Sequence, residues 1–549
     1  MASRHATVLA RGITVTHGRR PVLTDVDLTV APGHRIGVIG PNGVGKSTLL
    51  RVLAGSERPE RGTVTLAPRD AAVGYLPQEP DRRAGESVAA FLARRSGVSA
   101  ATAELDAATL AMAAGEARAD DRYAAALERW LALGGPDFDA RLGETWADLG
   151  LPPALVERPM TSLSGGQAAR AELAATLLSR FDVFLLDEPT NDLDLDGLAR
   201  LEAFVMGLEA GLVLVSHDRA FLERTVTSVL EIDEQHHTAI RFDGGWEAYV
   251  HERTTARHLA EEAYASYVEQ RESLTERSRR QRAWSQAGVT RAKKHPTDGD
   301  KNIKRGRIAS AEARAGDARR TDKAMERLTP VDKPWEGWEL RLAIAESGRS
   351  GEVVARLTAL VVDRGGFRLG PVDLEVARGD RLALVGPNGG GKTTLLQAML
   401  GRLRPSAGEA WLGPGVVVGE LDQARAMLVA DRPLVDSFPS ATGWTLSEAR
   451  TLLAKFGLGA NEVARPLSSL SPGERTRAVL ALLSARGVNT LVLDEPTNHL
   501  DLPAIEQLEQ ALATFEGTLL LVTHDRRLLE SVDITRVVEV LDGQVYERR

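Results

Sequence analysis

Two nine-residue glycine-rich loops, set 346 positions apart, limit what this chain can fold into more than any other feature. The first, Gly40-Pro41-Asn42-Gly43-Val44-Gly45-Lys46-Ser47-Thr48, follows the apolar run at 36–39 and leads into Leu49, Leu50, Val52 and Leu53 at helical spacing. The second, Gly386-Pro387-Asn388-Gly389-Gly390-Gly391-Lys392-Thr393-Thr394, follows the run at 382–385 and leads into Leu395 and Leu396. In a strand-loop-helix setting such a loop is a phosphate cradle. Its glycines let backbone N–H groups turn inward, its lysine neutralises phosphate charge, and its Ser or Thr hydroxyl is placed to ligate Mg²⁺. One glycine-rich turn can match by chance, but two in the same context do not.

Each loop is followed by the same companions in the same order. Gln78 and Gln423 end short strand-like runs, and then come Leu163-Ser164-Gly165-Gly166-Gln167 and Leu470-Ser471-Pro472-Gly473-Glu474. Buried-strand patterns lead next into Asp187-Glu188-Pro189-Thr190 and Asp494-Glu495-Pro496-Thr497, and a histidine follows another apolar strand, His217 and His524. Ser164 to Asp187 and Ser471 to Asp494 are both 23 positions; Asp187 to His217 and Asp494 to His524 are both 30. The chain therefore carries two copies of one domain. Hydrolysis of a bound triphosphate needs a positioned water, a carboxylate to polarise it, a metal to spread charge and a group near the γ phosphate. Asp187 and Asp494 are placed to hold Mg²⁺ through water, Glu188 and Glu495 to polarise the attacking water, and His217 and His524 to contact the γ phosphate.

These motifs resemble the ATP-binding cassette superfamily over both halves, and the Leu-Ser-Gly-Gly-Gln signature sets that family apart from other P-loop ATPases. The resemblance implies an α/β fold of two tandem ATPase domains and cofactors ATP and Mg²⁺. It also implies head-to-tail closure, each nucleotide lying between the phosphate loop of one cassette and the signature of the other. Site one would use Gly40, Asn42, Gly43, Gly45, Lys46, Ser47, Thr48, Gln78, Asp187, Glu188 and His217, completed by Ser471, Gly473 and Glu474. Site two would use Gly386, Asn388, Gly389, Gly391, Lys392, Thr393, Thr394, Gln423, Asp494, Glu495 and His524, completed by Ser164, Gly165, Gly166 and Gln167. The metal set would be Ser47, Gln78 and Asp187 in one and Thr393, Gln423 and Asp494 in the other. The chain departs from the family pattern in two ways. His17 and Arg364, with Phe367 nearby, stand where many cassettes stack an aromatic on adenine, and Pro472 replaces a signature glycine.

The halves differ in two places. Gln78 to Ser164 is 86 positions but Gln423 to Ser471 is 48, so the first half holds about 38 extra residues within 87–150. Alanine-rich segments at 100–116 and 121–133, the second ended by Gly134-Gly135-Pro136, favour helices. They read as a helical arm or as an elaboration of the cassette's helical lobe. Between the cassettes, 249–334 is polar and basic. No proline interrupts 246 to about 294, where Ala260, Tyr264, Tyr267 and Leu274 recur at helical steps, and after a break at 295–300 Ile308, Ala311, Ala315, Ala318 and Met325 resume them. This predicts an antiparallel helical hairpin between domains at 1–248 and 335–549. From Arg277 to Arg307 eleven basic residues face two acidic ones, against a whole-chain charge of −8. Such a contrast suits approach to polyanion phosphates, the bland alternative being a solvated spacer. The candidate RNA contacts are Arg291, Lys293, Lys294, Lys301, Lys304, Arg305 and Arg307.

No apolar run approaches the ~18 residues needed to span a bilayer, and no signal-peptide pattern opens the chain, so a cytoplasmic protein is expected. Zero cysteines exclude disulfides and thiolate metal sites. Two cassettes without membrane segments, an arm and a basic hairpin resemble the ABC-F group, and Trp284 through Arg305 with the segment at 334–336 resembles its actinobacterial antibiotic-resistance members. That resemblance implies a monomer with paired cassettes, bound at the ribosomal tRNA exit site. The hairpin would reach toward P-site tRNA, ribosomal RNA and the peptidyl-transferase centre, in ribosomal protection against macrolide-type antibiotics. A housekeeping translation factor, the motor of a transporter with a separate membrane protein, and an ATPase acting on DNA are the other readings.

Overall fold

The computed structural model describes residues 6–18, 20–78, 83–191, 193–234, 236–294, 320, 323–325, 327–328, 351–421, 424, 427–428, 431–470, 472–498 and 500–548, with backbone alone at 257, 281–294 and 472–473. The chain divides into one unit holding both cassettes, Met1–Glu247 with Trp338–Arg549, and a second, Ala248–Gly337.

In the first cassette a short-strand apolar code builds the central sheet. β3 (Arg35–Ile39), β6 (Val183–Asp187) and β7 (Gly211–Val215) are apolar on both faces, as strands covered on both sides must be. With β5 (Val73–Leu76), β8 (Ser228–Ile232) and β9 (Ala239–Asp243) they form a six-stranded sheet of order β5-β6-β7-β3-β8-β9, antiparallel only at the β8–β9 edge. β1 (Thr7–His17), β2 (Arg20–Val30) and β4 (Arg61–Ala67) form a separate antiparallel sheet. Its inward residues Val8, Ala10, Ile13 and Val15 pack with Ile36, Val38, Leu49 and Leu53 into one core. The second cassette repeats the plan with strands Val418–Glu420, Thr490–Asp494, Thr518–Val522, Arg381–Val385, Arg536–Leu541 and Gln544–Arg548 in that order. Asp187 pairs with Val215 and Asp494 with Val522, so the two acidic motifs leave equivalent strands at the same rung.

The extra residues of the first half resolve into two helices. α2 (Val88–Arg95) and α5 (Phe138–Asp148) pack on α6 (Gly165–Leu178), as the helices Leu434–Thr442 and Leu446–Lys455 pack on Pro472–Ala485 in the second cassette. The single bridges Ser87↔Pro159 and Pro433↔Pro466 start these lobes alike. Thr442 and Leu446 are joined by a short turn, whereas α3 (Val98–Ala113) and α4 (Ala119–Ala132) stand between α2 and α5. The 87–150 stretch is thus part shared lobe, part inserted hairpin. The hairpin's seam is small: Ala101, Ala108, Ala111, Ala119 and Ala126 are buried, and Trp130 Nε1 donates to Thr102 Oγ1 at 3.0 Å.

In the second unit, α9 (Gly245–Lys294) runs 50 residues, about 75 Å at 1.5 Å per residue. Lys323–Met325 is helical, and Thr275 on α9 donates to Met325 Sδ at 3.4 Å, so the two helical stretches meet within this unit. The rest of the expected second helix, and Lys301, Lys304, Arg305 and Arg307, lie outside the described residues. Among the described residues no helix is long and apolar enough to cross a membrane.

Because α3 and α4 pack chiefly on each other, replacing 98–133 by a short Gly-Ser turn is expected to leave a cooperatively folded chain with ATP hydrolysis within about twofold of the parent. Loss of the cooperative thermal transition would show instead that the hairpin belongs to the cassette core.

Candidate nucleotide sites

Each phosphate loop is pinned from behind. Gly40 has φ +148°, and a Cβ there would stand 2.8 Å from the Ile232 carbonyl oxygen; at Gly386, φ +137°, it would meet Val540 O at 2.2 Å. Glycine is therefore required where each loop leaves its strand. Lys46 is buried and donates to the carbonyls of Gly40 (2.7 Å) and Pro41 (3.0 Å) and to Asn42 Oδ1 (3.4 Å); Lys392 donates to Gly386 O (2.7 Å) and Pro387 O (3.1 Å). Burial lowers both ammonium pKa values, opposed by Glu188, Asp501 and Asp187 around Lys46, and by Glu495, Asp194 and Asp494 around Lys392. Removing such a lysine leaves buried carboxylates without their compensating charge.

The acidic motifs lie beside these lysines. Asp187 Oδ1 is buried without a hydrogen-bond partner, while Oδ2 accepts from Tyr75 Oη at 3.1 Å and the Ser47 hydroxyl stands near the same carboxyl. Burial raises its pKa, against the pull of Ser47, Tyr75, Lys46 and Arg51. In the second cassette Thr393 Oγ1 donates to Asp494 Oδ2 at 3.0 Å. A hydroxyl beside one carboxylate with an unfilled oxygen fits Mg²⁺, which retains waters and takes one or two carboxylates plus phosphate oxygens. No group of three or more His, Cys, Asp or Glu among the described residues offers an all-protein metal cage.

Glu188 and Glu495 both hold left-handed backbone, φ 52° and 46°, fixed by N–H bonds to Val215 O (2.9 Å) and Val522 O (2.8 Å). Strain at the same position of both copies is the kind retained where a side chain must be aimed. Burial, opposed by Lys46 and reinforced by Asp187, pushes Glu188 up to about 7. His217 Nε2 lies 3.0 Å from Glu188 Oε1 but off the geometry of a hydrogen bond, and burial followed by Lys46 lowers its pKa to about 3, so its imidazole is neutral. His524, 3.1 Å from Glu495, is lowered to about 4 by burial and Lys392.

The two cassettes meet at these loops. Ser164 caps α6 through a reciprocal box with Gln167: Gln167 N donates to Ser164 Oγ and Ser164 N to Gln167 Oε1. The helix N-terminus is thereby presented, and a Cβ on Gly166 would stand 3.0 Å from Asn388 Cβ of the opposite phosphate loop. A cavity of about 390 Å³ between the cassettes is lined by Gly165, Gly166 and His217 of the first and by Asn388, Gly389, Glu495 and His524 of the second. Site one opens into about 430 Å³ lined by Asn42, Gly43, Gly45, Lys46, Ser47, Thr48, Gln78, Asp187, Glu188 and His217, with Thr497 and Leu500 from the other cassette. His17 and Val22 also line it, whereas Phe367 approaches the second loop, where a Cβ on Gly391 would meet its ring at 2.8 Å. Thr394 is half-buried one position beyond Thr393. Gln423 and Ser471 lie outside the described residues, Gly473 is described in backbone only at the start of a helix, and Glu474 sits 3.8 Å from Arg465.

Sequence reasoning missed the aspartates that hold the halves together. Asp194 Oδ1 caps the helix Leu195–Gly207 at Gly197 N (2.9 Å), while its Oδ2 accepts from Asn388 N of the other cassette (3.0 Å); Asp501 caps at Ala504 N (3.1 Å) and accepts from Asn42 N (3.1 Å). Their signal was available, since each lies seven positions after Asp187 or Asp494. Ion pairs repeat the symmetry: Arg526 donates to Glu202 (2.9 Å) and Arg219 pairs with Glu509.

The chain matches the family described as ABC transporter over residues 23–191 and 369–498. It is 31% identical over 542 residues to ABC transporter F family member 2 of Arabidopsis thaliana, spanning 96% of this chain and 75% of that one. The chain belongs to the ABC-F family. Other ABC-F similarities are to the tylosin resistance ATP-binding protein TlrC of Streptomyces fradiae, 37% identical over 94% of both chains. The energy-dependent translational throttle protein EttA of Mycobacterium tuberculosis is 31% identical over 94% of this chain and 88% of its own. In fold the chain is similar to the solved structure of RNase-L Inhibitor, with a TM-score of 0.57 and 19% identity over 97% of this chain and 90% of that one. Like other ABC-F proteins, this one is an ATPase.

The interface between the two cassettes contains a charge that opposes it. Asp218 caps the helix Arg219–Thr225 at Phe221 N (2.9 Å). Burial, Asp525 and Glu202 push its pKa up to about 6, against Phe221 N–H and Arg526. A carboxyl raised on folding stabilises fully below its unfolded pKa, and that contribution is lost as pH rises through 6. Asp218→Asn keeps a capping oxygen and is expected to add about 1–3 kcal/mol at pH 7.5. The gain in thermal midpoint should shrink at pH 4.5; an equal shift at both pH values would refute the charge argument.

Proposed function

We propose that this ABC-F ATPase binds the ribosome and protects it from macrolide-type antibiotics, with ATP closing the cassettes and hydrolysis releasing them. The observation that carries the reading is the 37% identity, over 94% of both chains, to a tylosin resistance protein. The helix α9, leading into the basic stretch at 277–307, supports it as the part that approaches RNA phosphates, with Arg291, Lys293, Lys294, Lys301, Lys304, Arg305 and Arg307 as its contacts.

Mg²⁺, when bound beside Ser47 with Asp187 or Thr393 with Asp494, supplies charge neutralisation between the phosphates. Gln78, which lines the first cavity, would complete that set, with Gln423 expected in the same role in the second. Lys46 and Lys392 leave their loop carbonyls for phosphate oxygens. Glu188 and Glu495, held by strained backbone, orient and polarise the attacking water, and neutral His217 and His524 donate toward the γ phosphate. The Ser164 signature would present its helix N-terminus to a nucleotide at the opposite loop, and Ser471 is expected to act likewise in the other site.

Replacing Glu188 and Glu495 together by Gln should hold the closed form. The variant is expected to co-sediment with ribosomes only with ATP, and to hydrolyse ATP at least about 100-fold more slowly. A variant that stays at the top of the gradient sinks the ribosome reading. The similarity to a translational throttle protein favours a second reading, a translation factor without drug specificity. Expression of the parent in a sensitive host separates them: a raised inhibitory concentration of tylosin supports protection, and an unchanged one supports the translation factor.

A further inference from the structure

One side-chain chain crosses the first cassette from the wall of its nucleotide cavity to its metal carboxylate. His17 lines the cavity, and its Nε2 lies 3.2 Å from Glu57 Oε1. Arg51, on the helix that follows the phosphate loop, donates through Nε to Glu57 Oε2 at 2.8 Å and through a terminal nitrogen to Thr48 Oγ1 at 3.0 Å. The Arg51 guanidinium also interacts electrostatically with Tyr75, and Tyr75 Oη donates to Asp187 Oδ2 at 3.1 Å. Every link joins groups of matching polarity, and the chain ends on a carboxylate whose other oxygen is buried and unpartnered.

The second cassette has no such chain. Five positions after its lysine stands Gln397 in place of Arg51, and eleven after stands Leu403 in place of Glu57. Tyr75 faces Leu185, two residues before Asp187; the matching position, facing Val492 two before Asp494, is Glu420, whose carboxylate pairs with Arg402 at 2.8 Å. A carboxylate cannot donate to Asp494, so the arrangement is confined to site one by residue chemistry and not by a difference in fold.

We propose that Tyr75 is a positioning residue for Asp187. Through Arg51, Glu57 and His17 it links the nucleobase wall of site one to metal binding there, making the two ATP sites unequal. With Oδ2 held by the phenol, Oδ1 is turned toward the metal side; an aspartate without that bond samples other rotamers and binds metal less well. A base seated against His17 restrains Glu57 and Arg51 and so firms the tyrosine. The proposal rests on the reading of Asp187 as the metal carboxylate and of His17 as the wall against which the base sits.

The test is equilibrium binding of the fluorescent nucleotide mant-ATP to the full chain in a Lys392→Ala background, which leaves site one as the site read, with Mg²⁺ titrated from an EDTA baseline. Tyr75→Phe is expected to raise the Mg²⁺ midpoint about tenfold while affinity in EDTA changes less than twofold. Arg51→Gln, which installs the residue of the second cassette, should move it in the same direction by less. An unchanged midpoint in both, or equal loss of binding with and without Mg²⁺, overturns the proposal. If Tyr75→Phe lacks a cooperative thermal transition, Arg51→Gln decides alone. His17→Ala should shift the midpoint for mant-ATP but not the Mg²⁺ dependence with which inorganic tripolyphosphate, lacking a base, displaces it. Equal shifts for both overturn the link to the base wall. Asp187→Asn tests the underlying reading separately: if it keeps the parent's Mg²⁺ midpoint, Asp187 is not the metal carboxylate.

Discussion

The geometry of both sites depends on a carboxylate that serves two backbones at once. Asp194 and Asp501 each cap a helix of their own cassette with one oxygen and accept the asparagine N–H of the opposing phosphate loop with the other. Burial works against the charge of Asp194, yet the two N–H groups bring its pKa below the usual value. The same bonds that end a helix therefore set the position of the other cassette's loop. The signature turn at Gly166 can then lie against Asn388 without a side chain between them.

This explains why the halves are so nearly interchangeable at their contact and so different elsewhere. Arg219–Glu509 and Arg526–Glu202 are one interaction written twice, at an offset of 307 residues. Arg527–Glu223 is not repeated, because the matching positions are Ala220 and Glu530. Away from the contact the copies have diverged in side chains that do not affect the fold: His17 against Arg364, Arg51 against Gln397, Tyr75 against Glu420.

What could be read from residue order follows the same division. Strands, loops and acidic motifs were legible because phosphate chemistry allows few residue types at few spacings, and the copies corroborate one another. The arm helices were legible from alanine content, with ends one to three residues from those observed: 98–113 and 119–132 against expectations of 100–116 and 121–133. That α2 and α5 belong to the shared lobe was not, since only packing on α6 reveals it. Asp194 and Asp501 were visible as a repeated interval but carried no chemical cue, because helix-capping aspartates are common. The chain from His17 to Asp187 was beyond reach, being built from ordinary residues between 17 and 187 that only the sheet order brings together.

The two cassettes lie on one polypeptide and meet through a small set of charged pairs and backbone hydrogen bonds. As separate subunits, such partners would find each other only at high concentration. Covalent linkage turns that encounter into a unimolecular step, with an effective local concentration on the order of millimolar for a suitable tether. Closure is then insensitive to how dilute the protein is, so a few copies per cell respond to nucleotide as fully as many.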